Sequence, residues 1–98
     1  MHIFNAVLYT LIALALVGCR EDSTAAKKYA QHCAACHEAG AGGAPTKHAK
    51  RDWQIRRNQT PDALLASVRR GFVGMPPSGR CFNCSDADLI EIIRYMRD

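Results

Sequence analysis

The chain has 98 residues and a formal net charge of +4 at pH 7, which predicts one small domain with little room for a hydrophobic core. Domains of this size commonly depend on a cofactor, a metal or disulfides for part of their stability. The basic residues are not accompanied by a nucleic-acid recognition motif or by interleaved aromatic residues, so nucleic acid is not expected as a partner.

The amino-terminal segment is almost wholly apolar from Ile3 to Val17. This is about the length of a signal-peptide core and short for a membrane span. The sequence Leu16-Val17-Gly18-Cys19 then resembles the bacterial lipobox, in which a signal peptidase cleaves before the cysteine and a lipid is attached to its sulfur. Basic residues ahead of the core are missing, and an uncleaved anchor or plain secretion stay open as alternatives.

These boundaries divide the chain into a lipoprotein signal peptide (1–18), a lipid-attached tether (19–26) and a folded domain (27–98). Each interpretation of the apolar segment places that domain outside the cytoplasm. With a lipid on Cys19, the predicted location is the periplasmic or cell-envelope side of a bacterial membrane. More than one acyl chain is needed for a stable anchor of this kind.

The sequence Cys33-Ala34-Ala35-Cys36-His37 is typical of covalent c-type haem attachment. Cysteines three residues apart lie on one face of a helical turn, so both thiols can reach the vinyl groups of one porphyrin. His37 then offers an imidazole to the iron. A Cys-x-x-Cys pair is also compatible with half of a zinc site or with a dithiol redox pair.

A second cysteine pair, Cys81 and Cys84, is expected to form a disulfide in an oxidising compartment. Its loop is so short that the disulfide stiffens the chain locally more than it restricts the unfolded state. The competing interpretation is a zinc site that joins both pairs. The pairs lie much further apart than the roughly 15 to 20 residues usual for zinc sites, and zinc would leave His37 without a role.

Local patterns predict an all-α domain. A first helix is expected from near Thr24 through the haem motif, followed by a loop over 38–47 that is rich in glycine and contains Pro45. Asp52 is expected to cap a short helix that holds Trp53 and Arg56.

Two later helices have clear start signals. Thr60 followed by Pro61 predicts a helix that ends near Gly71, and Ser85 with Asp88 resembles a capping box. The last helix carries one apolar stripe, which consists of Leu89, Ile92, Ile93 and Met96.

Met75 is the predicted second iron ligand. Pro76 and Pro77 follow it directly and restrict the backbone of this loop. His48 is the rival candidate, whereas Met96 is assigned to the core and His32 to the surface. A histidine and a methionine ligand together raise the reduction potential relative to two histidines, which suits an electron carrier.

Considered together, these features resemble class I cytochromes c, and among them the small bacterial cytochrome c-five type. The residues that carry the resemblance are Cys33-Ala-Ala-Cys36-His37, Gly43-Ala44-Pro45, Trp53 with Arg56, Met75-Pro76-Pro77, Cys81-x-x-Cys84-Ser85-Asp86, and Tyr95-Met96. Two features depart from the family pattern. Ser78-Gly79-Arg80 follows the prolines in place of a glycine pair, and the 47–51 loop is unusually basic.

The resemblance implies a fold of three to four short helices around one covalently bound haem c. Tyr29 and Tyr95 would then pack where the first and last helices cross. The implied site residues are Cys33 and Cys36 as the haem thioethers, His37 and Met75 as the axial ligands of the iron, Pro45 with its carbonyl near His37, Trp53 and Arg56 beside the haem propionates, and Cys81 with Cys84 as a disulfide. A core tryptophan and a solvated arginine are the alternative interpretations of Trp53 and Arg56.

The sequence therefore predicts an extracytoplasmic electron carrier and not an enzyme, with larger redox proteins as transient partners. The alternatives are a haem-based gas sensor or small peroxidase with an open sixth position, and a permanent electron-entry subunit of a dehydrogenase complex. Basic clusters at 47–51, 56–57, 27–28 and 69–70 are interpreted either as solvated surface or as a docking face for an acidic protein or a membrane.

Overall fold

A computed structural model describes residues 23–98, and the predictions for the signal peptide and Cys19 lie outside them. The described part has five α-helices, of which two span a single turn, and the isolated bridge between Phe72 and Met75 is its only β pairing. The expected all-α class is confirmed. The helices are α1 (Thr24–His32), α2 (Ala34–His37), α3 (Lys50–Trp53), α4 (Pro61–Arg70) and α5 (Asp86–Arg97), with 3₁₀ turns at Ala41–Gly43, Gln54–Arg56 and Pro77–Arg80.

The first helix differs from its prediction because it does not continue through the haem motif. Ser23 caps α1 by accepting a hydrogen bond from the Ala26 N–H at 3.1 Å. The helix ends at His32, and Cys33 has a φ of −117°, far from the helical value. The chain becomes helical again in α2, so Cys33 lies at the junction between the two helices.

The start signals of α4 and α5 are confirmed. The Thr60 hydroxyl accepts from the Ala63 N–H at 3.1 Å, and Pro61 is the first helical residue. Ser85 and Asp88 form a reciprocal capping box, with distances of 3.1 and 2.9 Å. These bonds satisfy N–H groups that have no partner within the helix.

The core forms where α5 packs on α1 and α4. The predicted stripe of α5 is buried, and Tyr29, Trp53 and the Cys81–Cys84 pair pack against it. The rings of Tyr29 and Tyr95 lie 5.3 Å apart between their centroids, as expected for the crossing of the first and last helices. Burying a side chain such as Ile92 stabilises the fold by about 2 kcal/mol.

The predicted cap of the short α3 helix is wrong. The N-cap residue is Ala49, which makes no side-chain capping bond, and Asp52 lies inside the first turn. The Asp52 carboxylate instead accepts from the Thr46 N–H at 3.0 Å and so fastens the preceding loop. Within residues 23–98, no helix is both long enough and apolar enough to cross a membrane.

Candidate haem-binding site

His37 is buried on α2 and has one defined ring contact. Its Nδ1 lies 2.8 Å from the carbonyl oxygen of Pro45, which can only accept, so Nδ1 carries the proton. The opposite nitrogen, Nε2, bonds to none of the described residues and is not sealed inside the protein. Its lone pair is therefore available to a metal, and the Pro45 carbonyl fixes the ring orientation.

The thiols of Cys33 and Cys36 are free, the first partly buried and the second exposed. Burial, with a smaller contribution from Cys36, raises the pKa of the Cys33 thiol to about 11. This thiol is protonated at neutral pH, whereas dithiol redox pairs depend on a lowered thiol pKa. The raised pKa of Cys33 thus disfavours the dithiol alternative.

The zinc alternative also lacks structural support. The structure places the sulfur atoms of Cys81 and Cys84 against each other, away from Cys33 and Cys36, and both residues are buried. Across residues 23–98, no three histidine, cysteine or acidic side chains come together in a group that would hold a metal ion.

The residue after His37 belongs to a charged cluster. The Tyr29 hydroxyl donates to a Glu38 carboxylate oxygen at 2.6 Å, and the Lys47 ammonium lies 3.3 Å from the same oxygen. Lys47 also lies 5.0 Å from the Tyr29 ring centroid, and its backbone N–H donates to the His37 carbonyl at 2.7 Å. The Tyr29 hydroxyl, followed by Lys47, lowers the pKa of Glu38. Burial, followed by the bond to Glu38, raises the pKa of Tyr29.

Met75 closes a tight hairpin that begins at the end of α4. Phe72 and Met75 exchange backbone hydrogen bonds of 3.1 and 2.7 Å. Gly71 has a φ of +86°, and a Cβ atom there would lie 3.0 Å from the Met75 carbonyl oxygen and 3.2 Å from the Pro77 nitrogen. Only glycine fits this close approach, so Gly71 is required for the position of Met75.

The turn after the prolines has three consecutive residues with positive φ. The angles are 56° at Ser78, 55° at Gly79 and 63° at Arg80, and Ser78 is buried. A Cβ atom on Gly79 would lie 3.6 Å from the terminal methyl carbon of Met75, so this turn faces the end of the methionine side chain. Left-handed conformations are unfavourable for residues other than glycine, and such residues need support from their surroundings.

Arg69 supplies contacts that the sequence analysis missed. The sequence predicts a basic pair with Arg70, but the Arg69 guanidinium bonds to the Ser78 hydroxyl, the Cys84 carbonyl and the Asp86 carboxylate. Nothing in the local sequence distinguishes Arg69 from Arg70, because the bonding partners come from later segments. The replacement of the usual glycine pair by Ser78-Gly79-Arg80 was the one available signal.

The structure also places the remaining candidate residues. Trp53 is buried and its Nε1–H donates to the Thr46 carbonyl at 2.9 Å, while the Arg56 guanidinium lies 5.9 Å from the Phe72 ring centroid. His48 packs edge-on against Tyr95, and its backbone N–H donates to the Met96 carbonyl at 2.7 Å. The Met96 side chain is buried in the core, as expected.

The donor set can be compared with the needs of haem c. The chain offers two free thiols for the vinyl groups, an open imidazole nitrogen and a thioether. The family model described as "Cytochrome C oxidase, cbb3-type, subunit III" matches residues 20–96. The chain belongs to the cytochrome c family. It is a small electron carrier with one covalently bound haem c.

Relatives of known sequence and structure agree with this assignment. The cytochrome c5 of Ectopseudomonas mendocina is 42% identical over 69 residues, which cover 68% of this chain and 79% of that protein. The cytochrome c5 of Azotobacter vinelandii is 39% identical over 69 residues, which cover 68% of this chain and 83% of that protein.

Two solved structures are similar to this cytochrome. A chain from an electron transfer complex of nitrite reductase with cytochrome c has a TM-score of 0.73 and 35% identity, covering 81% of this chain and 96% of that one. A mono-heme ferrocytochrome c from Shewanella putrefaciens has a TM-score of 0.69 and 36% identity, covering 79% and 95%.

Proposed function

We propose that this cytochrome carries single electrons between redox proteins outside the cytoplasm, with His37 and Met75 as the axial ligands of a haem attached to Cys33 and Cys36. The observation that carries the proposal is the ring of His37, with Nδ1 bonded to Pro45 and Nε2 left open. A thioether as the second ligand favours ferrous iron and raises the reduction potential relative to two histidines.

Three further features belong to the same proposal. Trp53 and Arg56 lie beside the haem propionates. In support, Arg56 has no carboxylate partner among the described residues. The bond from the Trp53 Nε1–H to the Thr46 carbonyl fixes the orientation of the indole ring. The disulfide between Cys81 and Cys84 forms in an oxidising compartment, for which both thiols are suitably placed.

The location of the protein is proposed from its sequence. Residues 1–18 are a signal peptide, Cys19 carries lipid, and 19–26 tether the domain on the periplasmic or cell-envelope side of a bacterial membrane. Intact mass of the membrane-bound protein tests the anchor, because cleavage before Cys19 and added acyl chains both change the mass. A mass that includes residues 1–18 and no lipid contradicts it.

The ligand assignment is tested with Met75→Ala, and His48→Ala serves as the control for the rival ligand. We expect Met75→Ala to lose the long-wavelength ferric absorption that reports thioether coordination and to lower the reduction potential. His48→Ala should retain both properties. The reverse result would transfer the ligand role from Met75 to His48.

Carbon monoxide binding distinguishes the carrier from a gas sensor or small peroxidase. Because Met75 occupies the sixth position in the proposed site, we expect the ferrous protein to bind carbon monoxide slowly and Met75→Ala to bind it rapidly. Equally rapid binding by the unsubstituted protein would support an open sixth position.

The partner surface is proposed to be an apolar patch within a basic rim. Ile55 and Val73 are 87% and 90% exposed, and the contact between Arg56 and Phe72 joins their two segments. The adjacent side chains of Lys50, Arg51 and Arg57 form no ion pair within residues 23–98. Such a surface suits brief contact with an acidic redox protein.

Small redox probes of opposite charge test this surface. We expect Arg51→Glu to slow oxidation by anionic hexacyanoferrate(III) several-fold and to accelerate oxidation by a cationic cobalt(III) phenanthroline complex. Lys27→Glu makes the same charge change on α1 and should have a smaller effect. Equal effects of the two variants would contradict the assigned surface.

The family model also favours a second candidate. Its description names an oxidase subunit, and a permanent electron-entry subunit of a larger complex remains a distinct function. Purification in mild detergent decides between the two. A stable stoichiometric complex supports the subunit, and a free monomer supports the carrier.

A further inference from the structure

The guanidinium of Arg69 connects three segments of the chain. Its Nη1 donates to the Ser78 hydroxyl at 3.1 Å, and its Nη2 donates to the Cys84 carbonyl at 2.9 Å. Nε and Nη2 also donate to one carboxylate oxygen of Asp86 at 2.9 and 2.8 Å. The last residues of α4 are thereby linked to the Pro77–Arg80 turn, the disulfide loop and the first turn of α5.

These contacts differ in their surroundings. Asp86 is 70% exposed, and an ion pair in such a position contributes little because water and salt screen it. The bonds to Ser78 and Cys84 are partly buried, and Ser78 itself is only 8% exposed. Hydrogen bonds from a charged donor to sheltered acceptors are the stronger class, so Arg69 acts mainly on the turn and the disulfide loop.

The turn that Arg69 holds lies against Met75. Ser78 and Arg80 have left-handed backbone angles. This conformation is unfavourable for residues other than glycine, so the turn needs support from neighbouring groups. Gly79 lies between them and approaches the terminal methyl of Met75. If the turn opened, the thioether would lose the packing that faces it.

We propose that Arg69 is a positioning residue for Met75, which keeps the Pro77–Arg80 turn closed and thereby limits dissociation of the thioether from the iron. The inference rests on the proposed function, in which Met75 is the axial ligand. Arg69 acts on Met75 only through the Ser78 hydroxyl and the Cys84 carbonyl.

The experiment measures how fast imidazole replaces the thioether in the ferric holoprotein. Arg69→Lys retains the positive charge, but a lysine ammonium cannot bond to all the acceptors of the guanidinium. We expect imidazole to replace the thioether about tenfold faster in this variant, because the loss of one charge-assisted hydrogen bond corresponds to a rate change of about that size. Arg70→Lys is the matched control, because Arg70 is exposed and makes no side-chain hydrogen bond within residues 23–98.

Ser78→Ala tests the route of the effect. This variant removes the hydroxyl that Arg69 contacts and retains the Cβ atom, so it should also accelerate imidazole binding. Combined with Arg69→Lys, it should add less than its separate effect, because the two residues share one bond. Amide hydrogen exchange at Gly79 and Cys81, whose N–H groups bond within the turn, should become faster in both variants.

Two outcomes would overturn the inference alone. One is an unchanged imidazole rate in Arg69→Lys while Met75→Ala loses the thioether absorption. The other is an imidazole rate in Lys28→Met that rises as much as in Arg69→Lys when the two variants lose the same thermal stability. Lys28→Met removes the ion pair to Asp88, which lies away from the Pro77–Arg80 turn. Retention of the thioether absorption in Met75→Ala would instead overturn the ligand assignment, and the inference with it.

Discussion

The segments that carry the two proposed iron ligands are held in different ways. His37 lies on a helix, and the Pro45 carbonyl and the Lys47 N–H that fix its ring and backbone are within ten residues of it. Met75 lies in a hairpin held by Gly71, and the following turn depends on Arg69, which also binds the loop and helix beyond it. The contacts that position His37 therefore lie within ten residues of it, whereas the methionine side also depends on bonds from Arg69 to Cys84 and Asp86, 15 and 17 residues further along the chain.

This difference has a consequence for dynamics. A ligand fixed by local hydrogen bonds and a covalent motif is retained as long as its own segment is folded. A ligand held by long-range contacts is lost when any one of the contributing segments moves. We therefore expect the methionine side to open first, and the following variants test that expectation in order of decreasing effect.

Gly71→Ala should have the largest effect. The new Cβ would meet the Met75 carbonyl and the Pro77 nitrogen at a backbone conformation reserved for glycine, which we expect to cost about 3 kcal/mol or to displace Met75. Gly42→Ala is the control for a positive φ without crowding, in the milder left-handed region (φ 64°, ψ 19°), because nothing lies within 4 Å of its added Cβ, and it should cost about 1 kcal/mol. Chemical denaturation and the thioether absorption measure the outcomes, and equal losses would refute the close approach at Gly71.

Tyr29→Phe should have a smaller effect, on the histidine side. It removes the hydroxyl that donates to Glu38 and leaves the ring packing intact, so we expect a melting temperature lower by about 5 °C. Tyr95→Phe is the matched control, because the Tyr95 hydroxyl bonds to none of the residues 23–98. Neither variant should accelerate imidazole binding, and an acceleration by Tyr29→Phe would contradict the proposed contrast between the two sides.

The smallest expected effect is the change in acid stability when Asp88 is replaced. Asp88 contacts Lys28 on α1 and Ser85 at the start of α5. The Lys28 ammonium, followed by the Ser85 N–H, lowers the pKa of the Asp88 carboxyl to about 2. Because the pKa of Asp88 is lower in the folded state than in the unfolded chain, its ionised carboxylate stabilises the fold. This contribution to stability is complete above pH about 4 and is lost as the pH falls towards 2. In Asp88→Asn that part of the acid dependence should disappear, while Asp62→Asn, in the first turn of α4, should retain it. Thermal melts between pH 2 and 6 measure the difference, and parallel curves for Asp88→Asn and the unsubstituted protein would contradict it.

The sequence alone determined the class of the protein and most of its local structure. Helix starts at Thr60 and Ser85, the buried stripe of α5 and the haem-binding motif all depend on residues a few positions apart, so their spacing is sufficient to predict them. The cap at Asp52 was wrong because the carboxylate bonds to Thr46 instead of its own helix.

Only the tertiary structure decided how the methionine loop is held. Arg69 and Arg70 are the same residue type at adjacent positions, yet Arg69 bonds to two later segments of the chain and Arg70 is exposed. Likewise, the sequence indicated that Gly71 ends a helix, whereas the close approach of Met75 and Pro77 shows why a side chain is excluded there. These roles depend on which groups meet in the folded chain, and neither residue type nor spacing contains that information.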